Sequence, residues 1–381
     1  MTGPEGVATY TSAVDVPALR SIVAASSEAF VEDLRTMVNV DCGSYTPSGV
    51  NRIADLCEAR FRAGEWAVER TTHAPGSNEP QLGDLVIGRL TGAGGPKILV
   101  VGHMDTVFDE GTAAERPFRI EGDVAYGPGV SDMKGGLLTG FAAVEALQEV
   151  GSPFSGPVIR ELAPQHDVAF VLEGARANGD IVSARKGITD FRIDVTGRAA
   201  HAGVEPEKGR NAILEAAHLT IAIQALHGRW PGVTVNVGVI RGGTRTNVVP
   251  EHCELHVDVR SPEAETLDAA VAEVERICAA HTVPDVTAVV HANGWHRPME
   301  KRDGGARLVD IAVEVAAELG FEVRDAATGG ASDANTTSAA GTPTLDGLGP
   351  VGGDDHAPGE WLDLSSVVPR VSLLAGIVTR L

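Results

Sequence analysis

The order in which apolar runs alternate constrains this chain most. Two short runs with β-branched residues, LVIGRL (Leu85 to Leu90) and KILVVGH (Lys97 to His103), are separated by GAGGP. A helical stretch, GGLLTGFAAVEALQEV, follows, and then another buried run, DVAFVLEG (Asp167 to Gly174). Apolar runs of this length between glycine-rich turns read as strands buried on both faces. Strands that alternate with helices predict an α/β fold with a largely parallel sheet. Ahead of them, SSEAFVEDLRTMV has the apolar spacing of a helix.

From about Gly187 the pattern changes. DFRIDVTG reads as a strand, KGRNAILEAAHLTIAIQAL as an amphipathic helix, and VTVNVGVIRGG and HCELHVDVRS as two strands joined by a turn. SPEAETLDAAVAEVERICAA is a helix with Ser-Pro at its start, and VTAVVHANG is a last strand. The order βαββαβ is that of a small ferredoxin-like sandwich. After Arg297 the chain returns to α/β material with the helix ARLVDIAVEVAAELG. The reading is a large domain, residues 1–186 and 299–381, interrupted by an inserted domain of residues 187–298. At 381 residues the chain is long enough to give each its own core.

Charge narrows the partners. A formal net charge of -21 would repel nucleic-acid phosphates, so nucleic acid is not an expected partner. No segment shows a basic region followed by an apolar leader, and none reaches the ~20 apolar residues that span a bilayer. The four cysteines, Cys42, Cys57, Cys253 and Cys278, show no CxxC spacing and read as reduced thiols. A cytoplasmic protein with no membrane partner is the expectation.

Four loops carry residues able to do chemistry. His103 and Asp105 in VVGHMDTV lie just past a strand, where α/β sheets place their ligand sites, and point to one side of an extended chain. A neutral imidazole suits a transition metal, and a nearby carboxylate can fix its tautomer. Taken alone, such a pair is more often a surface histidine with an acidic neighbour. Asp132, in AYGPGVSDMKGG, ends a glycine-rich loop where a helix begins. It reads as a helix cap or as a metal-bridging carboxylate. Glu173 follows the strand DVAFVL, and His356 sits in the loop GLGPVGGDDHAPGEW. Each would be unremarkable singly. Together they offer a mixed nitrogen and oxygen donor set that suits zinc, with cobalt or manganese as alternatives.

Nearly the whole chain resembles the glutamate carboxypeptidase, acetylornithine deacetylase and aminoacylase family of di-zinc amidohydrolases. AERPFRIEGDVAYGPGVSDMKGG is most similar to the glutamate carboxypeptidase branch. The resemblance implies two zinc ions, with His103 on one, His356 on the other, Asp132 bridging them and Glu173 completing the first. Asp105 would orient His103. The reaction implied is hydrolysis of an amide or peptide bond beside a free carboxylate, in a peptide or N-acyl amino acid. The inserted domain resembles the family's dimerisation lid, which implies a homodimer. There His201 would reach the partner's site and stabilise the oxyanion. Asn247 and Arg260 would grip the substrate carboxylate, and Gly329 and Gly330 would face the substrate.

The chain departs from the family at EALQEVGSPFSGPVIRELA, residues Glu145 to Ala163. In the family, the helix after SDMKGG leads into a core strand ending in Asp-Glu-Glu-x-Gly-Ser. The first Glu is the general base and the second is a ligand of the zinc shared with His356. Here one helix runs directly into a turn and a second helical stretch, as if about 20 residues, a strand with its loops, were missing. In an alternative alignment, LQEVGS is the motif, with Glu149 as ligand and Gln148 in place of the base. The expectation is a chain with very weak turnover that keeps dimerisation and partial metal binding, through internal truncation or as a natural inactive relative.

Overall fold

The computed structural model describes residues 15–77, 79–91, 95–149 and 162–381. The chain divides into two compact units, Met1–Ile181 with Gly304–Asp325 and Pro343–Leu381, and Val182–Asp303 with Ala326–Thr342. Much of the stretch that departs from the family, residues 150–161, lies outside the described residues.

In the first unit, helices α1 (Val16–Ala25), α2 (Ser27–Val38) and α3 (Pro47–Ala63) precede a hairpin of β1 (Ala67–Thr71) and β2 (Leu85–Arg89). Strand β3 (Ile98–Val101) follows, then the short hairpin of β4 (Arg119–Glu121) and β5 (Val124–Tyr126). Helix α4 (Gly135–Glu149) leads towards β6 (Val168–Val171). Every residue of β6 is buried, as expected of a strand covered on both faces. Strand β3 pairs with β6 in parallel, Ile98 opposite Val168 and Val101 opposite Val171.

The second unit is built on a four-stranded antiparallel sheet. Its strands are β7 (Gly187–Thr196), β9 (Thr234–Gly242), β11 (His252–Ser261) and β12 (Thr287–His296), in the order β9-β11-β7-β12. A two-residue strand β8 (Ala200–His201) pairs with β10 (Val248–Val249) beside it. Helices α5 (Ala212–Gln224) and α6 (Ala264–Ala279) cover one face of the large sheet. The alternation on β7 explains that: Phe191, Ile193 and Val195 are buried with Leu219 and Ile223 of α5 and Leu267 and Val274 of α6. This is the βαββαβ sandwich expected from the sequence.

Returning to the first unit, α7 (Asp303–Glu318) precedes α8 (Asp333–Ala339) of the second. Strand β13 (Thr344–Leu345) then adds to β6 in parallel, giving the order β13-β6-β3. Strands β14 (Gly352–Gly353) and β15 (Trp361–Asp363) extend the β4–β5 hairpin, and α9 (Val367–Val378) packs on α4 and α1. Leu138 and Leu147 of α4, Phe170 of β6 and Ile377 of α9 share one core. The four cysteines are free and buried. Among the described residues, no helix is long and apolar enough to cross a membrane.

Candidate metal centre

Three loops at strand and helix ends bring the cluster together. His103 lies two residues past the end of β3, Glu173 two residues past the end of β6, and Asp132 three residues before α4. The parallel pairing of β3 with β6 puts His103 and Glu173 at the same, carboxyl, end of the sheet. One ligand atom from each of His103, Asp132 and Glu173 lies within 4.8 Å of the others. Asp132 faces both histidines: its Oδ1 is 2.9 Å from His103 Nε2, and its Oδ2 is 2.8 Å from His356 Nε2. Glu173 Oε1 stands 4.0 Å from His103 Nε2.

The back of His103 is also held. Its Nδ1 is 3.0 Å from the Asp105 carbonyl and 3.4 Å from the Asp105 carboxylate, which Ser44 Oγ in turn contacts. With Nδ1–H donated there, Nε2 is turned towards Asp132 and Glu173, where it carries the proton shared with Asp132 and offers a lone pair once a metal displaces that proton. Burial works against a charged ring at His103. The carboxylates of Asp105, Asp132 and Glu173 outweigh it and hold the pKa well above its ordinary value. Burial likewise opposes ionisation of Asp132, but contacts with His103 and His356 win and lower its pKa. The donor chemistry fits a divalent cation: two imidazoles and two carboxylates converge, and a cation can replace the proton each His–Asp pair shares.

The loop that carries Asp132 is pinned from beneath by a residue the sequence did not single out. Glu360 is 1% exposed, and its carboxylate accepts from the backbone N–H groups of Gly129 at 2.9 Å, Ser131 at 2.8 Å and Asp132 at 3.0 Å. Burial pushes its pKa up to about 7 despite those three donors. Lys134 is buried too, donating from Nζ to the carbonyls of Val40 and Pro128. Gly129 has φ of +74°, and a Cβ there would lie 2.5 Å from Thr106 Cγ2, so the position requires glycine. His356 itself holds φ of +64°, an uncommon state for a non-glycine residue that tends to mark functional sites.

The residues expected to bind substrate all lie in the second unit. His201, on β8, is exposed and accepts at Nδ1 from Gly203 N–H at 3.1 Å. The carbonyl of Asn247 accepts from Ala202 N–H at 3.0 Å, which sets Asn247 beside the strand that carries His201. Arg260, on β11, donates to Asp258 from Nε at 3.0 Å and from Nη1 to the Gly329 carbonyl at 2.9 Å. The next carbonyl, that of Gly330, accepts from Arg185 at 3.1 Å.

One alternative does not survive the fold. Gln148 and Glu149 are the last two residues of α4, whereas Asp132 stands just ahead of its first turn. A helix of 15 residues is about 20 Å long, so Glu149 lies at the wrong end to share a ligand sphere with Asp132. Gln148 instead donates to the Gly64 carbonyl at 3.3 Å. Nor do two glutamates stand side by side anywhere in the sequence.

Residues 183–286 match the peptidase dimerisation domain of the M20 peptidases. Carboxypeptidase G2 of Pseudomonas sp. (strain RS-16) is 30% identical over 377 residues, covering 93% of this chain and 89% of that protein. Acetylornithine deacetylase of Proteus mirabilis (strain HI4320) is 31% identical over 201 residues, 44% of this chain and 51% of that protein. Among solved structures, aminopeptidase PepT from Bacillus cereus ATCC 10987 superposes with a TM-score of 0.75 at 25% identity, covering 93% of this chain and 98% of that one. The expected fold, a catalytic α/β domain interrupted by a dimerisation domain, is therefore the observed one, and the chain belongs to the M20 family of metallopeptidases and amidohydrolases.

Proposed function

We propose that His103, Asp132, Glu173 and His356 form a zinc site in which Asp132 is the shared ligand and Asp105 orients His103. The observation that carries this reading is Asp132 itself, with each carboxylate oxygen on a different histidine at 2.9 Å and 2.8 Å. Zinc bound there would act as a Lewis acid towards a carbonyl and make a water more acidic. The chain's own residues do the rest. Asp105 fixes the His103 tautomer, and Glu360 fixes the Asp132 backbone.

The substrate class we propose is an amide or peptide bond beside a free carboxylate, of the carboxypeptidase or N-acyl-amino-acid type. The names of carboxypeptidase G2 and acetylornithine deacetylase support that class. Arg260 has a planar fork suited to a carboxylate, with Asn247 and Gly330 as its companions in substrate binding. His201 would stabilise the oxyanion in a homodimer.

A second reading is favoured by one observation. Asp132 has no Glu-Glu pair to work with, since no such pair occurs in the sequence. A missing proton acceptor costs roughly 100- to 10,000-fold in rate. In this reading the chain is a poorly active homologue that keeps metal binding and dimerisation.

One experiment separates the two. Zinc content is measured beside hydrolysis of acyl-glutamates and dipeptides, for this chain and for a version with an Asp-Glu-Glu strand inserted after α4. Bound zinc with weak turnover that the insertion raises supports the proposal in its second form. Robust turnover by the unaltered chain favours the first, and no zinc at all contradicts both.

A further inference from the structure

The two histidines of the cluster are held in different ways. The His103 side chain is 31% exposed, and its Nδ1 is held by Asp105. The His356 side chain is 61% exposed, and among the described residues its ring hydrogen-bonds only Asp132. The direction of the His356 ring therefore depends on its backbone. That backbone is unusual, because Asp354 and His356 both hold a positive φ, +55° and +64°. Such a turn persists only where its surroundings hold it.

Side chains from elsewhere in the first unit reach this turn. The Ser131 hydroxyl donates to the Asp355 carboxylate. Arg116, just ahead of β4, donates from Nη1 to the Ala357 carbonyl at 3.3 Å. The same carbonyl also accepts from the Glu360 N–H at 3.2 Å. The Arg116 guanidinium lies over the ring of Phe108, 4.6 Å from its centre. Phe108 is fixed in turn: its N–H donates to Thr106 Oγ1 at 3.4 Å, and the Thr106 N–H donates to the Cys42 carbonyl at 2.9 Å. Phe108 belongs to the loop that carries His103 and Asp105, so Arg116 ties that loop to the His356 turn. Arg116 is half-buried and forms no ion pair among the described residues, so no carboxylate competes for it.

We propose that Arg116 is a positioning residue for His356. It clamps the turn of residues 354–357 so that the imidazole stays on the second Asp132 oxygen. It thereby governs the metal position that His356 serves, and not the one at His103 and Glu173. This inference rests on the metal-site reading. The planar guanidinium does two things at once, with an edge on the carbonyl and a face on the ring. Substitution separates them: Arg116→Met keeps a contact with Phe108 but has no donor, and Arg116→Lys keeps a donor without the fork.

The test has two readouts on the whole chain. The first is amide hydrogen exchange of the metal-depleted protein, which owes nothing to zinc. The Ala357 and Glu360 amides, both hydrogen-bonded within the turn, should exchange about two- to tenfold faster in Arg116→Met, and Arg116→Lys should recover part of the difference. The second is zinc titration by calorimetry, with His356→Ala and His103→Ala as references for the two metal positions. Arg116→Met should weaken the equivalent that His356→Ala removes by about tenfold, and leave unchanged the one that His103→Ala removes. Unchanged exchange overturns the proposal. So does a loss of zinc affinity at both positions alike, which marks a merely structural residue, or at neither. A parent that takes up no zinc contradicts the metal-site reading instead, and exchange alone then decides whether Arg116 holds the turn.

Discussion

At the scale of single residues, the cluster was legible and its support was not. His103, Asp105, Asp132, Glu173 and His356 each had a mundane reading alone, and their pattern at the ends of strands and loops made them candidates. Glu360 left no such mark, because its place depends on which backbone N–H groups a buried carboxylate meets after folding. That makes it a useful residue to alter. Glu360→Ala would leave the N–H groups of Gly129, Ser131 and Asp132 without their acceptor inside the fold. Each buried orphan costs about 1–3 kcal/mol, so a loss of roughly 3 kcal/mol or more is expected in urea unfolding. Supports of this kind typically tune metal affinity by about 10- to 100-fold, so zinc titration of the same variant should show a weaker site.

At the scale of elements, periodicity revealed long strands and helices because burial imposes their spacing on the sequence. It was blind to pairings two or three residues long, such as β14 with β15, where no period can accumulate. It also left the stretch after α4 open to two alignments. The length of α4 decides against Glu149 as a ligand, a matter of distance that no motif carries. The same helix depends on a close approach. A Cβ at Gly136 would lie 1.8 Å from the Leu172 carbonyl oxygen, so α4 can pack against the end of β6 only with glycine there. Gly136→Ala should therefore destabilise the first unit by about 1–3 kcal/mol. Because Leu172 precedes Glu173, it should also weaken zinc binding. A stable variant with unchanged zinc affinity would mean that this contact does not position the ligand.

At the scale of the whole molecule, the change from α/β alternation to βαββαβ and back made the insertion readable, since each unit buries its own core. Assembly was not readable from periodicity, because an exposed apolar residue looks the same on a monomer as on an interface. The second unit does expose such residues: Ile221 on α5 is 70% exposed, and Ile240 on β9, an edge strand, is 51% exposed. If that face joins two copies, light scattering should give about twice the 39.6 kDa chain mass. Ile221→Asp should shift the mass towards that of a single chain, whereas a monomeric parent would dispose of the dimer. The claim on which the account rests is that Asp132 gathers a metal between two histidines. Anomalous diffraction at the zinc edge, from crystals soaked in zinc, tests it most directly. The expected result is a peak about 2.0–2.2 Å from an Asp132 carboxylate oxygen and from Nε2 of His103 or His356. A soaked crystal with no peak at Asp132 would contradict it.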